Sequence, residues 1–238
     1  MTYNDIFTKF LIEYDKAEFS SSYPSLTDYE IATILDKAYL ALIAEKVTGT
    51  NFRKAPIEGD RKAIEDIRPL ITRTVRHELT TTSPIAENEH VYTLPDGFMY
   101  YIEGNVDFIE KQTAIDELKH TALPAVLVSH EVAQTYKTSA TNLPWIQSAV
   151  TYLEDDRLHV LVDQYTYNNN KGTLDYTLIY VKEPTKFIKS DDTVNKTSTF
   201  QLSDTMAEEL INLAIIMSLE IVESTRLTSK TNIAALES

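Results

Sequence analysis

The spacing of apolar residues changes twice along this chain, and no other feature of the sequence constrains its fold as tightly. Up to about residue 67 they recur every three or four positions, the repeat that gathers them on one face of a helix. From His90 to about Lys182 they alternate, the repeat of strands with a covered face. Between Leu210 and Val222 only Asn212, Ser218 and Glu220 are polar, so a helix there is apolar almost all round. With 238 residues, 43% of them hydrophobic, the chain carries a real core in one large domain or two small ones. The expected class is α+β: N-terminal helices, a central antiparallel β sheet or barrel, a long C-terminal apolar helix packing on the N-terminal helices, and an extended C-terminal tail. The pattern divides the chain into 1–80 plus 201–223 as a helical domain, 81–200 as a β-rich domain, and 224–238 as the tail.

Local signals place the elements. A first helix is expected from about Asn4 to Phe19, with Ile6, Phe7, Phe10, Leu11 and Tyr14 on one face and SSSYPS ending it. Thr27 and Glu30 form a T-x-x-E capping box for a second helix over 28–47, Leu26 can staple onto Ile31, and Gly49 supplies a left-handed stop. Asp60 is placed to cap a third helix carrying Ile64 and Ile67, which must end or kink before Pro69. The stretch from there to Leu79 reads equally as a restarted helix or an extended arm. VYTLPDG, FMYYIEGNVDFI, AVLVS, SAVTYLE, RLHVLVD and GTLDYTLIYV read as strands, with NNNKG at 168–172 connecting two antiparallel ones. Short helical inserts are expected at 110–122 and 130–138. The last helix spans roughly 204–223, capped by Ser203 or Thr205.

Several kinds of chemistry lose their sequence support. There is no cysteine, so disulfides and thiolate metal sites are excluded. A net charge of −14 argues against wrapping nucleic acid, because phosphate binding needs a positive surface. MTYNDIFTKF lacks the blocks of a signal peptide, and no apolar run is long enough to span a membrane, so no membrane partner is expected. His77, His90, His120, His130 and His159 show no metal-ligand spacing, and the five glycines stand alone, with no phosphate-cradling loop and no G-x-S-x-G. No cofactor is expected. Glu154-Asp155-Asp156 reads first as a solvated turn and second as a cation site. Trp145 suits a ligand platform, an interface anchor or plain core packing. The tyrosines concentrated in the β region suit half-wet interfaces or simply strands.

A helix apolar nearly all round needs cover on nearly every side, and a neighbouring subunit is a natural source of it. Leu210, Leu213, Ile216, Met217 and Ile221 are the candidate oligomer interface. In the polar tail, Arg226 and Lys230 could meet acidic groups while Leu227, Ile233 and Leu236 act as small anchors, making these five the candidate partner-docking residues.

Certain phrases carry a resemblance. YPSLTDYEIATILDKAYLALIAEKVTG followed by IEGDRKAIEDIRPLI resembles the N-terminal part of virion connector proteins of crAss-like short-tailed bacteriophages. LPDGFMYY, LDYTLIYVKEPTKFI and FQLSDTMAEELINLAIIMSLEIVESTRL are similar to the start of the β domain, its closing strand and the C-terminal helix of that group. The resemblance implies a non-enzymatic head-to-tail connector, or portal adaptor. Such subunits form a homo-oligomeric ring, usually of twelve, beneath the portal protein in the neck of the virion. The ring contacts further tail or ring proteins and lets genomic DNA pass without sequence-specific binding, and it would be assembled in the host bacterial cytoplasm. The alternative is a tail-associated module whose β domain holds glycan or another virion protein.

Overall fold

The computed structural model describes residues 1–17, 26–49, 61–77, 88–108, 122–138, 144–145, 147–163, 174–189, 191 and 193–221. Among these residues the protein is a mixed α/β chain of five helices and a curled sheet of seven strands. It forms two compact units, residues up to Leu70 together with those from Pro184 onward, and Ile71–Glu183. The expected division at 80 and 200 therefore shifts: Ile71 to His77 belong with the sheet, and Pro184 to Phe200 with the helices.

In the first unit, α1 (Tyr3–Ala17) buries Tyr3, Ile6, Phe7, Phe10 and Tyr14. Leu11, expected on that face, is 36% exposed at its margin. Both ends of α2 (Asp28–Thr48) are as the sequence predicts. The Thr27 hydroxyl accepts from Glu30 N at 3.3 Å, Glu30 Oε2 accepts from Thr27 N at 2.7 Å, and Gly49 closes the helix at φ 73°. This box satisfies two of the orphan N–H groups of the first turn. α3 (Arg61–Ile67) tightens into a 3₁₀ turn over Arg68–Leu70, where Pro69 removes a donor. The last helix, α5 (Asp204–Ile221), packs against α1 and α2. The segment after Pro184 is pinned by Asp36, whose carboxylate accepts from the amides of Phe187 at 2.7 Å and Ile188 at 3.1 Å. Burial raises the Asp36 carboxyl above its ordinary range against the pull of those amides. Phe187 in turn meets the Tyr3 ring edge-on at 4.4 Å.

The last helix, α5 (Asp204–Ile221), corrects the expectation of a long helix apolar almost all round. It is 18 residues long and buries one broad face fully: Met206, Ala207, Leu210, Ile211, Ala214, Ile215, Ser218 and Leu219. Glu208, Glu209, Asn212 and Glu220 interrupt the rest. A wide apolar face suffices because two helices, α1 and α2, lie against it. Of the two candidate caps, Ser203 is the one used, its hydroxyl accepting from Met206 N at 3.3 Å. The expected tail, 224–238, lies outside the described residues, as does the expected insert at 110–122 except for its last residue, Ala122, which is extended.

The second unit is the sheet. Its strands are β1 (Ile71–His77), β2 (Glu89–Thr93), β3 (Phe98–Phe108), β4 (Ala122–Leu127), β5 (Ala149–Glu154), β6 (Arg157–Leu161) and β7 (Leu174–Lys182), in the order β1-β7-β3-β4-β5-β6-β2. The expected antiparallel sheet is corrected at one point: β4 and β5 run parallel, with Ala125 beside Ala149 and Val126 beside Val150. Parallel neighbours need a crossover, and α4 (His130–Thr138), at the position expected from sequence, provides it. β6 and β7 are not neighbours in the sheet, and the connecting segment 168–172 lies outside the described residues. β1 settles the 70–79 ambiguity in favour of an extended strand, seven residues paired with β7. Register shifts in β3 at Phe98/Tyr100 and Tyr101/Glu103 bend the strand. The two outer strands, β1 and β2, come close to each other, so the sheet curls toward a barrel.

The concave side is an aromatic-rich core. Tyr92, Val106, Leu123, Leu158, Val160, Leu174, Tyr176 and Leu178 fill it. Gly104 has a steric role here: a Cβ at this position would lie 1.7 Å from the Tyr176 hydroxyl, so only glycine lets that ring reach its place. The hydroxyl meets Tyr101 Oη at 3.0 Å and Thr151 Oγ1 at 3.2 Å, while Tyr92 donates to Leu174 O at 3.1 Å. Tyr92 and Tyr176 are thus interior side chains, and Tyr101 a half-buried one, with satisfied hydroxyls. On the opposite side, α4 covers Val150, Tyr152 and Leu161 with Ala133, flanked by Val128 and Tyr136.

Candidate functional site

The most concentrated chemistry among the described residues lies under α4. β2 contributes Glu89, β5 Tyr152, β6 His159 and α4 Lys137. Alternation puts the first three on the same side of the sheet, since Val150 pairs with Leu161, Leu161 with Glu89, and Tyr152 with His159. The Glu89 side chain is fully buried. Its Oε1 accepts from His159 Nδ1 at 2.8 Å and from the Tyr152 hydroxyl, and lies 3.0 Å from Lys137 Nζ. Its Oε2 has no hydrogen-bond partner. Lys137 also donates to the Tyr152 hydroxyl and sits 4.5 Å from the centre of that ring. The Tyr152 and His159 rings stack at 4.7 Å, and His130 meets Tyr152 edge-on at 5.3 Å. His159 Nε2 lies 3.8 Å from Glu154 Oε2 at the end of β5.

These contacts decide the protonation states. Burial alone would push the Glu89 carboxyl up, but hydrogen bonds from His159, Tyr152 and Lys137, with the charge of Lys137, outweigh it and hold the group down at about 2. Glu89 is ionised, and His159 Nδ1 carries the proton shared with it. Burial raises the Tyr152 phenol above its ordinary value, and donation to Glu89 raises it further. A base so acidic and a phenol so basic are poorly matched to proton transfer near neutrality. The arrangement suits a clamp between helix and sheet.

A second buried charge cluster ties α2, α3 and α5 together. Lys46, on the otherwise apolar face of α2, places Nζ 2.8 Å from Glu209 and 3.6 Å from Asp66. Burial would lower the Lys46 ammonium, yet the bond and charge of Glu209 and the charge of Asp66 leave it raised.

The residues singled out from sequence are scattered. Leu210 is fully buried inside its own subunit, so it cannot also face a neighbour. Leu213, Ile216 and Met217 are half-buried, and Ile221 is 65% exposed. Arg226, Leu227, Lys230, Ile233 and Leu236 lie outside the described residues. Glu154, the last residue of β5, and Asp155 and Asp156, the two-residue turn after it, are all exposed, with Asp155 at φ 56°, the left-handed conformation that Asp tolerates. Trp145 is 68% exposed, against the core-packing reading. Of the histidines, His90 and His159 are buried, while His130 is exposed on α4. Glu89 and Lys137 carried no sequence signal beyond a charge beside an apolar strand and another on a short helix.

No protein family model matches the chain, and no curated protein matches it. Among the described residues, no helix is long and apolar enough to cross a membrane.

Proposed function

We propose that this chain is a non-enzymatic virion structural protein, one subunit of a ring-forming head-to-tail connector beneath the portal. In that role it continues the DNA channel and offers a platform to tail proteins. The observation that carries the reading is the outer margin of α5: Leu213, Ile216 and Met217 are left half-buried, and Ile221 stands exposed at its end. Apolar side chains at a helix margin gain by being covered, by roughly 25 cal/mol per Å², and a neighbouring copy would cover them repeatedly around a ring. The net charge of −14 fits a channel wall past which DNA slides without adhering. The resemblance of several phrases to those of phage connectors is in keeping with this reading.

Native mass spectrometry and electron microscopy of the full chain test the reading. Closed rings are expected from the wild type. Ile221→Glu, an exposed position that burdens the folded subunit little, should give folded monomers. A wild type that stays monomeric at high concentration, alone and with portal protein, refutes the ring.

One observation favours the second reading, a tail-associated binding module. Trp145, the single tryptophan, is exposed where an aromatic platform would be useful. Saturable change in its fluorescence on titration with surface glycans would support that reading in place of the first.

A further inference from the structure

Few apolar side chains hold α4 to the sheet. Among its described side chains only Ala133 is fully buried, with Tyr136 packed beside it, while His130, Glu131, Val132, Gln134 and Thr135 are exposed. Its firmest tie is Lys137, bound to Glu89 and to the Tyr152 hydroxyl. Beneath it the register aligns Val126 of β4, Val150 of β5 and Leu161 of β6 in one apolar row across three strands. The row is not fully covered: Val126 is 54% exposed, whereas Val150 and Leu161 lie buried.

We infer that α4 is a displaceable cover, lifting from the sheet as a unit while the strands stay paired, with the Lys137–Glu89 contact setting how often it opens. The reason lies in what each part loses on opening. Elements with few buried apolar contacts open at low cost, whereas β5 and β6 each give up ladders on two sides. A buried ion pair also regains hydration when it opens, recovering much of what its burial cost, which an apolar contact does not. Lifting α4 lays bare the row Val126, Val150 and Leu161. The inference is independent of the ring reading, since it concerns one subunit.

Native-state hydrogen exchange on the full-length protein tests it. Amides of Ala133–Lys137 are expected to exchange on the order of 100-fold faster than those in the middle of β5 and β6, through openings insensitive to low urea. Lys137→Met should speed the α4 amides a further tenfold or so, through openings still insensitive to low urea, and Lys137→Arg should restore wild-type rates. If Lys137→Met proves too unstable to handle, the wild-type comparison of helix and strands decides alone. A single common rate for helix and strands in the wild type, or α4 amides that exchange only through urea-sensitive unfolding, overturns the inference.

Discussion

Replacing Glu89 with glutamine removes one charge from the interior and leaves the shape nearly unchanged, so its effect should depend on pH in a calculable way. The carboxyl is held at about 2 in the folded protein against 4.5 when unperturbed. A group depressed on folding contributes stability that is fully present above its unfolded value and is lost as pH falls through the folded one. At 1.36 kcal/mol per unit, the ionised carboxylate contributes about 3 kcal/mol at pH 7, and roughly 1.4 kcal/mol of that survives at pH 3. Urea unfolding of wild type and Glu89→Gln at pH 7, 5, 4 and 3 measures this. The gap should stay near 3 kcal/mol down to about pH 5, then narrow to about half by pH 3. Other acids titrate alike in both proteins and drop out of the difference. A gap below 1 kcal/mol at pH 7, or one that does not narrow with acid, would show that Lys137, Tyr152 and His159 do not stabilise the charge as their geometry implies.

Two further substitutions probe the interior of each unit by itself. Gly104→Ala sets a methyl 1.7 Å from the Tyr176 hydroxyl and 2.3 Å from its ring carbon, so overpacking should cost about 3 kcal/mol or more by denaturant melt, and Tyr176→Leu in the same chain should recover part of it. Lys46→Ala leaves Glu209 and Asp66 with the more distant Lys62 as a counter-charge and should cost about 3 kcal/mol, whereas Lys46→Met combined with Glu209→Met and Asp66→Asn should recover most of that, as a calorimetric comparison of the two variants would show.

How much of this was legible in advance follows from the range of the forces involved. Both ends of α2 were, because Thr27, Glu30 and Gly49 act within one turn of the groups they satisfy. The positions of α4 and of most strands were legible too, since a repeat of two or 3.6 residues is a property of the chain itself. β1 was not: Ile71-Thr72-Arg73-Thr74-Val75 is too short and too polar to declare itself, and only pairing with β7 makes it a strand. The parallel junction of β4 and β5 and the separation of β6 from β7 are decided by which strands find one another, a choice among long-range pairings that local periodicity does not encode. The same holds for the α5 margin. Its run of apolar letters fits total burial, but the angle at which α1 and α2 lie against it decides that Leu210 is enclosed and Ile221 exposed. The clamp under α4 is the clearest case. Glu89, Lys137, Tyr152 and His159 come from four elements, each with its own local pattern. Only the folded sheet, by excluding water around one carboxylate and aiming three donors at it, turns those four side chains into a site.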